Sequence, residues 1–327
     1  MSSSPHAHQQ RDVSEFASLN RGYDAVFRSS RLSVGLVAPL EAHAGPVPTM
    51  TRHLERVELA DELGFPAIWL RDVPFDVPSF GDAGQVHDPF VYLGLLAART
   101  EQITLGVASI VLPLRHPAHV AKAAASVDAL SGGRLILGVA SGDRPEEYPA
   151  FALPFADRGA RFRDAFDYIR RVSADRPAFE SSFGRVGGGM DLLPKPTAGG
   201  LPLLVTGGSQ QDDDWLARHG DGWMIYPRGA AAQARIVQGW RDRVEALGGP
   251  PKPVMEPLYI DLVDDDHAMP RPIHLGLRLG MSELREYLRS RERLGVNHVA
   301  LNLRFNQAGI ETTLRRLADE LLPCFSA

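Results

Sequence analysis

The sequence predicts a single (β/α)8 barrel, the TIM-barrel fold, and three observations lead to this prediction. The chain has 327 residues, a length that suits one large barrel as well as two ordinary domains. Short apolar segments alternate with segments of helical periodicity, and the resulting eight β-then-α units follow one another without a linker-like change in composition. No GxGxxG motif follows the first strand, which disfavours a Rossmann fold.

The eight predicted strands are almost entirely apolar, as expected for a parallel sheet that is covered by helices. A short apolar segment bounded by Gly or Pro is typical of such a buried strand. In chain order, the strands are predicted at residues 32–39, 67–70, 103–112, 134–140, 201–205, 223–226, 253–262 and 296–303.

The predicted helices combine apolar residues at helical spacing with recognisable end signals. Thr49 is expected to cap the first helix, and Pro89 lies in the first turn of the second, where a missing N–H is harmless. In chain order, the helices are predicted at residues 49–63, 88–100, 117–130, 160–172, 212–219, 230–247, 282–294 and 311–322.

Segments outside these units account for the length in excess of a minimal barrel. Residues 1–31 form an N-terminal extension that we expect to be partly disordered, and residues 32–327 form one barrel domain. Gly and Pro residues within 176–200 predict a short hairpin or loop insertion. A third extra segment is the insertion before the seventh helix, and two of the three are expected at the C-terminal mouth of the strands. The irregular residues 143–154 and 264–280 are candidate lids.

Composition excludes several classes of protein. Hydrophobic residues make up 44% and charged residues 23%, values typical of a globular protein rather than a disordered one. The net charge of −5 gives no basic footprint for nucleic acid. The single cysteine, Cys324, cannot form an internal disulfide. No apolar segment is long enough to span a membrane, and the first ten residues do not resemble a secretory signal, so a cytoplasmic protein is expected.

The active site of a (β/α)8 barrel lies at the C-terminal ends of its strands. Those ends carry no HxH, HExxH or His/carboxylate cluster, so no metal is expected. Besides serines and threonines, polar residues occur there at Glu41, Arg71, Asp72, Asp143, Tyr226, Arg228, Tyr259, Asp261, Asn302 and Arg304, and Arg144 belongs to the charged loop that follows the fourth strand.

The loop after the fifth strand is the most informative of these ends. It reads Thr206, Gly207, Gly208, Ser209, Gln210 and Gln211 and leads into a helix. Two glycines let backbone N–H groups approach an anion, most simply a phosphate, at the start of that helix. The alternative is a tight turn in which Ser209 caps the helix. The acidic triplet 212–214 that follows is expected to point to solvent, with Arg228 available to offset it.

Residues 102–140 read QITLGVASIVLPLRHPAHVAKAAASVDALSGGRLILGVA and closely resemble the bacterial luciferase-like flavin-dependent monooxygenases. Further matches lie at residues 62–72, 158–171 and 205–224, so the resemblance covers nearly the whole chain. Residues 19–27, together with motifs around 69–74 and 142–151, resemble one luciferase-type oxidoreductase subgroup. The family consists of (β/α)8 barrels that bind FMN or, in many relatives, the deazaflavin F420.

The resemblance implies a set of cofactor-binding residues. It places the isoalloxazine ring against the ends of the first and third strands and implies a non-prolyl cis peptide in the latter. It also assigns the loop at 206–211 to the FMN phosphate. The residues carried over are Ala38, Pro39, Ala108, Ser109 (the cis peptide joins these last two), Ser141, Gly142, Arg161, Thr206, Gly207, Gly208, Ser209, Gln210 and Gln211.

The resemblance implies a monooxygenase that oxygenates a small organic substrate through a C4a-peroxyflavin, using O2 and reduced FMN from a separate flavin reductase. A homodimer is also implied. The histidine that follows the second strand in luciferase is Val73 here, and this departure keeps two alternatives open. One is an F420- or FMN-dependent dehydrogenase or reductase that transfers hydride, and the other is a non-catalytic flavin-binding protein. Asp72 is a candidate catalytic residue, or else a structural carboxylate paired with Arg71 or Arg115.

Overall fold

The computed structural model describes residues 16–28 and 31–325. Their strands are β1 (Ser33–Val37), β2 (Ala67–Leu70), β3 (Thr104–Val111), β4 (Leu135–Ala140), β5 (Ala178–Ser181), β6 (Gly184–Gly187), β7 (Leu203–Thr206), β8 (Gly222–Met224), β9 (Val254–Leu262), β10 (Arg271–Ile273), β11 (Gly276–Leu279) and β12 (His298–Asn302).

The helices lie mainly between these strands. They are α1 (Arg21–Phe27), α2 (His53–Glu62), α3 (Pro89–Arg99), α4 (Pro117–Leu130), α5 (Arg158–Val172), α6 (Asp213–His219), α7 (Ala230–Ala246), α8 (Met281–Arg293) and α9 (Ile310–Glu320). None of the described helices is long and apolar enough to cross a membrane.

Eight of the strands close into a parallel barrel, which confirms the predicted (β/α)8 fold. The order around the barrel is β1, β2, β3, β4, β7, β8, β9 and β12, and β12 pairs with β1 to complete the circle. Their side chains are almost all buried because the interior covers one face and the helices cover the other. Parallel pairing brings the C-terminal ends of all eight strands to one mouth.

Small residues in the barrel wall make room for a large side chain in its interior. Trp69 on β2 is fully buried. A Cβ atom at Gly106, on the neighbouring strand, would lie 2.2 Å from Cε3 of Trp69. Glycine is therefore required at position 106 so that the indole can cross the barrel.

The helix α1 covers the end of the barrel opposite the mouth. Tyr23, Val26 and Phe27 are buried against residues of the barrel interior. The backbone N–H of Gly22 donates to the carbonyl of Gly133, immediately before β4, at 2.8 Å. This part of the predicted extension is thus a packed helix, while the expectation of disorder for residues 1–15 lies outside the described residues.

Two hairpins correspond to the predicted insertions. The strands β5 and β6 pair antiparallel within residues 176–200, which confirms the hairpin expected there. The strands β10 and β11 form the second hairpin. Because β11 pairs with the C-terminal half of β9, from Tyr259 to Leu262, this hairpin extends the barrel wall at the mouth.

The predicted cap of the first barrel helix is wrong. The helix α2 begins at His53, and its N-terminal flanking residue Arg52 makes no side-chain cap. The backbone N–H groups of Thr49 and Met50 instead donate to the two carboxylate oxygens of Glu41, at 2.9 and 2.8 Å. This clamp holds residues 49–50 in the loop that follows β1, so the helix starts four residues later than expected.

Candidate active site

A cavity of about 810 Å³ opens at the C-terminal mouth of the barrel. Seven of the eight barrel strands contribute residues to its lining, β4 being the exception. Its floor is largely apolar, and a volume of this size is typical of small-molecule and cofactor sites. The floor residues are Val37, Trp69, Ala108, Met224, Met255 and Ala300.

The indole of Trp69 is held in the floor by a chain of hydrogen bonds. Its Nε1–H donates to Nε2 of His298 at 2.9 Å, so the proton of the neutral imidazole resides on Nδ1. That Nδ1–H donates to Oγ of Ser33 at 2.7 Å, and the Ser33 hydroxyl donates to the carbonyl of Val26 at 2.6 Å. Burial lowers the pKa of His298 to about 3, which keeps the imidazole neutral.

The end of β3 carries the cis peptide that the resemblance predicts. The peptide bond between Ala108 and Ser109 is cis, and the pairing register between β3 and β4 shifts at this point. Ala108 lines the cavity. The hydroxyl of Ser109 is hydrogen-bonded to the hydroxyl of Thr206 at the end of β7. The cis peptide is therefore joined directly to the start of the glycine loop.

The glycine loop, residues 206–211, has an unusual backbone. Gly207, Ser209 and Gln210 all have positive φ angles, of 54°, 43° and 59°. Within the part of the chain that the structure describes, no hydrogen bond engages the backbone N–H groups of Gly208, Ser209 and Gln210. Three successive unpaired N–H groups form a concave surface suited to an anion.

Side chains of the loop stabilise this backbone instead of facing the cavity. The hydroxyl of Ser209 donates to the carbonyl of Thr206 at 2.7 Å. The Gln211 amide donates to the carbonyl of Gly159 at 2.8 Å and accepts from Arg163. Among the six predicted loop residues, Thr206, Gly207 and Gly208 line the cavity. The others shape the loop from behind.

The alternative in which Ser209 caps the next helix is wrong. The carboxylate of Asp212 caps α6, accepting from the N–H of Trp215 at 2.7 Å. Asp214 pairs with Arg243 rather than being offset by Arg228. The acidic triplet consequently faces a separate surface, and it does not place its charge in the glycine loop.

Outside the glycine loop, six of the predicted cofactor residues do not line the cavity: Ala38, Pro39, Ser109, Ser141, Gly142 and Arg161. Ala38 and Pro39 follow β1 and are joined by a cis peptide, with Ala38 fully buried. The carbonyl of Ser141 accepts from the Tyr148 hydroxyl. Gly142 has a φ of 77°. Their role in cofactor binding stays a prediction.

Arg161 contacts the segment that follows β3 and the β5–β6 hairpin. Its Nε and Nη2 atoms donate to the carbonyl of Pro113, both at 3.4 Å. The guanidinium carbon lies 4.9 Å from the centre of the Phe183 ring in the β5–β6 hairpin. In this arrangement Arg161 tethers α5 to the segment that follows β3.

Asp72 has the contacts of a structural carboxylate. Its Oδ1 accepts from Nη2 of Arg115 at 2.7 Å, and its Oδ2 accepts from Nε of Arg115 at 3.0 Å. Oδ2 also accepts from the N–H of Val111 at 3.1 Å. The Asp72 side chain is only 1% exposed and does not line the cavity. This geometry favours the structural alternative, in which Asp72 holds the end of β3 in place.

A second group of charged side chains lies on the cavity wall, and we call Arg71, Arg144, Arg304 and Asp82 the arginine cluster. Arg71 forms an ion pair with Asp82. Nη1 of Arg304 lies 3.7 Å from the same carboxylate. Nη2 of Arg144 donates to the backbone carbonyl of Asp82 at 3.1 Å. Burial alone would raise the pKa of Asp82, but the charge of Arg71 and hydrogen bonds from Gly84 and Arg71 hold it below its ordinary value.

Sequence reasoning missed part of this wall. Asp82 and Phe80 lie in the irregular segment between β2 and α3, and His274 and Leu275 lie at the tip of the β10–β11 hairpin. Neither segment has a periodic pattern that indicates which side chains face inward. The only available signal was the position of both segments after strand ends. Among the described residues, no group of three or more His, Cys, Asp or Glu side chains is placed to hold a metal ion.

Comparison with known proteins decides the family. Residues 29–268 match the family described as luciferase-like monooxygenase. The chain belongs to this family. It is 31% identical over 168 residues to 4-hydroxyprotoasukamycin monooxygenase of Streptomyces nodosus subsp. asukaensis, covering 49% of this chain and 43% of that protein. It is also 31% identical over 182 residues to an F420-dependent glucose-6-phosphate dehydrogenase of Intrasporangium calvum, covering 51% and 53%.

The chain thus spans about half the length of these curated relatives. Solved structures agree with the barrel over a longer stretch. The monooxygenase RslO1 of Streptomyces bottropensis has a TM-score of 0.75 at 22% identity, over 89% of this chain and 99% of that one. The oxygenating constituent of a Pseudomonas putida 3,6-diketocamphane monooxygenase, solved with FMN, has a TM-score of 0.72 at 13% identity, over 90% and 99%. At these identities the likeness shows the shared fold.

The buried imidazole of His298 predicts a loss of stability in acid. The pKa of His298 in the folded protein, about 3, lies below its ordinary value near 6.5. Protonation therefore favours the unfolded chain, and the stabilising contribution, present above about pH 6.5, is lost as pH falls toward 3. The free energy of unfolding should drop by at most about 1.4 kcal/mol per pH unit from this group. Between pH 7 and pH 5, the free energy of unfolding measured with urea should fall less for H298Q than for the wild type. For H267Q, which changes an exposed imidazole, it should fall as much as for the wild type.

The contacts of Asp72 predict a variant that is less stable than the wild type. Removing one partner of a fully buried ion pair costs about 3–5 kcal/mol. Because Arg115 is partly exposed, D72N should lower the free energy of unfolding by a smaller amount, about 2 kcal/mol. Thermal unfolding measures the effect, with D76N, in the exposed part of the same loop, as the control. Unchanged stability in D72N would contradict the structural role.

Proposed function

We propose that this protein is an oxidoreductase with a flavin-type cofactor, and specifically a monooxygenase that uses reduced FMN. One substrate molecule, one O2 and one FMNH2 would give the oxygenated product, water and FMN. The observation that carries the proposal is the glycine loop, in which Thr206, Gly207 and Gly208 line the cavity. The backbone N–H groups of Gly208, Ser209 and Gln210 make no hydrogen bond with any described residue. Family membership and the similarity to 4-hydroxyprotoasukamycin monooxygenase support it.

The residues of the cavity fit FMN. A Cβ atom at Gly207 would meet no protein atom within 4 Å, and one at Gly208 only the Gln211 carbonyl at 4.0 Å, so space for a ligand adjoins the loop. The N–H groups of Gly208, Ser209 and Gln210 would hold the phosphate. The apolar floor around Trp69 and Ala108 would contact the flavin ring system. When bound, the reduced flavin supplies the electrons that activate dioxygen.

The chain's own side chains would orient the substrate and keep water out. The apolar floor and the tip of the β10–β11 hairpin, at His274 and Leu275, enclose the cavity from below and from the side. The Trp69–His298–Ser33 chain keeps the indole in one orientation. An oxygen insertion of this kind needs no base at Asp72, whose carboxylate is already occupied by Arg115.

The proposal includes a separate flavin reductase as the source of reduced FMN and a homodimeric assembly. An apolar surface on α3 supports an interface between copies, because Val91 and Leu95 are 75% and 43% exposed. Sedimentation of the purified protein tests the assembly. If the reductase only supplies reduced FMN, the protein should turn over equally well when FMN is reduced chemically and no reductase is present.

The second candidate is hydride transfer with F420. Its support is the similarity to the F420-dependent glucose-6-phosphate dehydrogenase. In this case the substrate would lose hydride to the cofactor and a proton to the protein or to water, without O2. The non-catalytic alternative would bind flavin without either reaction.

The glycine loop predicts a charge-selective loss of cofactor. G208D should weaken FMN binding at least ~10-fold more than the isosteric G208N, because a carboxylate beside the loop repels phosphate. Riboflavin, which lacks the phosphate, should bind both variants equally. Fluorescence titrations of both flavins with both variants provide the measurement. Equal weakening of FMN by the Asp and Asn variants would contradict the phosphate assignment.

The reaction itself is tested with labelled oxygen. Reduced FMN, the protein and a panel of small organic substrates are mixed under 18O2, and products are examined by mass spectrometry. A product that carries one 18O atom is expected. Oxidation of a substrate under anaerobic conditions with F420 would support the second candidate, and flavin binding without any product would support the non-catalytic one.

A further inference from the structure

The arginine cluster carries more positive charge than its neighbours balance. Arg71 and Arg304 pair with the carboxylate of Asp82, Arg144 donates to its backbone carbonyl, and all four residues line the cavity. Among the residues that line the cavity there are four arginines, since Arg228 also lies there, against two carboxylates, those of Asp82 and Asp143. Glu147 lies 3.9 Å from Nη1 of Arg144 but does not line the cavity. Even with Glu147 ionised, four positive charges face three negative ones.

Two guanidinium nitrogens of the cluster also lack a hydrogen bond, although Nη1 of Arg144 has Glu147 as an ion-pair partner at 3.9 Å. Nη1 of Arg144 and Nε of Arg304 are buried and make no hydrogen bond with any described residue. The Arg144 and Arg304 side chains are only 8% and 11% exposed, so water does not fully compensate for them. A buried guanidinium with an unused donor is costly unless an anion pairs with it.

The cluster is separate from the loop assigned to the cofactor phosphate. Arg71 follows β2 and Arg304 follows β12, whereas the glycine loop follows β7. Around the barrel, β7 lies three strands from β2 in one direction and three from β12 in the other. Arg144 follows β4, the strand next to β7, so only Arg71 and Arg304 lie across the mouth from a phosphate on the glycine loop.

Apolar rings adjoin the cluster. The guanidinium carbon of Arg144 lies 4.8 Å from the centre of the Phe80 ring, and that of Arg304 lies 5.4 Å from the centre of the Phe305 ring. Both rings line the cavity, as does Leu275. A ligand that fits this wall combines an anionic group with an apolar body.

We propose that the substrate is a small organic anion, whose carboxylate, phosphate or sulfonate group binds the arginine cluster while its apolar body packs against Phe80, Phe305 and Leu275. This inference rests on the proposed function for the reaction that the substrate undergoes. It specifies which wall of the cavity selects the substrate. Arg144 and Arg304 are then specificity-determining residues, and Asp82 holds Arg71 and Arg304 in position.

The test compares charged probes with neutral ones of the same shape. Phenylacetate and octanoate are titrated calorimetrically against phenylacetamide and octanamide, with the full chain both free and saturated with FMN. Phenyl phosphate and benzenesulfonate are the arms that distinguish the anionic groups. At least one anion should bind ~10-fold or more tightly than the neutral probe of the same body, because a charge-assisted contact is lost in the latter.

Variants locate the effect. R304Q and R144Q should each remove most of the preference for the anion, whereas R185Q, on the exposed β5–β6 hairpin, should keep it. The FMN affinity of R304Q and R144Q should equal that of the wild type. Thermal unfolding identifies a variant that fails to fold, in which case the other variant provides the comparison.

Several outcomes would overturn the inference. These are equal affinities for charged and neutral probes throughout the panel, an anion preference that persists in R304Q and R144Q, or a loss of FMN rather than of the anion in those variants. Failure of the proposed function is distinguishable, because it would appear as an absence of FMN binding in the wild type while the anion preference remains.

Discussion

The interior of a closed barrel has to be filled, and this chain fills it from one end only. The helix α1 packs Tyr23, Val26 and Phe27 against the N-terminal side of the barrel, and Trp69 crosses the middle in the space left by Gly106. Above the indole, side chains no longer meet across the barrel, and the cavity begins. The depth of the site is therefore set by how far this packing reaches.

A chain of hydrogen bonds connects the packed helix α1 to the floor of the cavity. The chain from Trp69 through His298 and Ser33 ends on the carbonyl of Val26, a residue of α1. Each group in it donates once toward α1, so the neutral imidazole has one tautomer. The N-terminal helix thereby acts on the orientation of a side chain in the cavity floor, although it contributes no residue to the cavity lining.

The sequence was sufficient to predict the barrel because helices and strands are indicated by patterns among residues that are close together in the chain. The cis peptide at Ala108, which the structure contains, was predicted from the resemblance to the luciferase-like family, and the phosphate-binding role of the glycine loop stays a prediction. The sequence was insufficient for the arginine cluster, because Asp82 and Arg304 meet only when closure brings β12 to the side of β1. It also misplaced the cap of α2, since the competing clamp by Glu41 depends on the path of a loop.

The attachment of the β10–β11 hairpin has a consequence for how such an enzyme diversifies. The short strand β8 pairs with β9 only near Met255, and β11 occupies the edge of β9 beyond it, from Tyr259 to Leu262. Backbone hydrogen bonds fasten this part of the wall, and backbone bonds do not depend on the identity of side chains. Residues at the hairpin tip, such as His274 and Leu275, are consequently free to change without detaching the segment. Selection for a new substrate can act on these positions while the barrel beneath them keeps its stability.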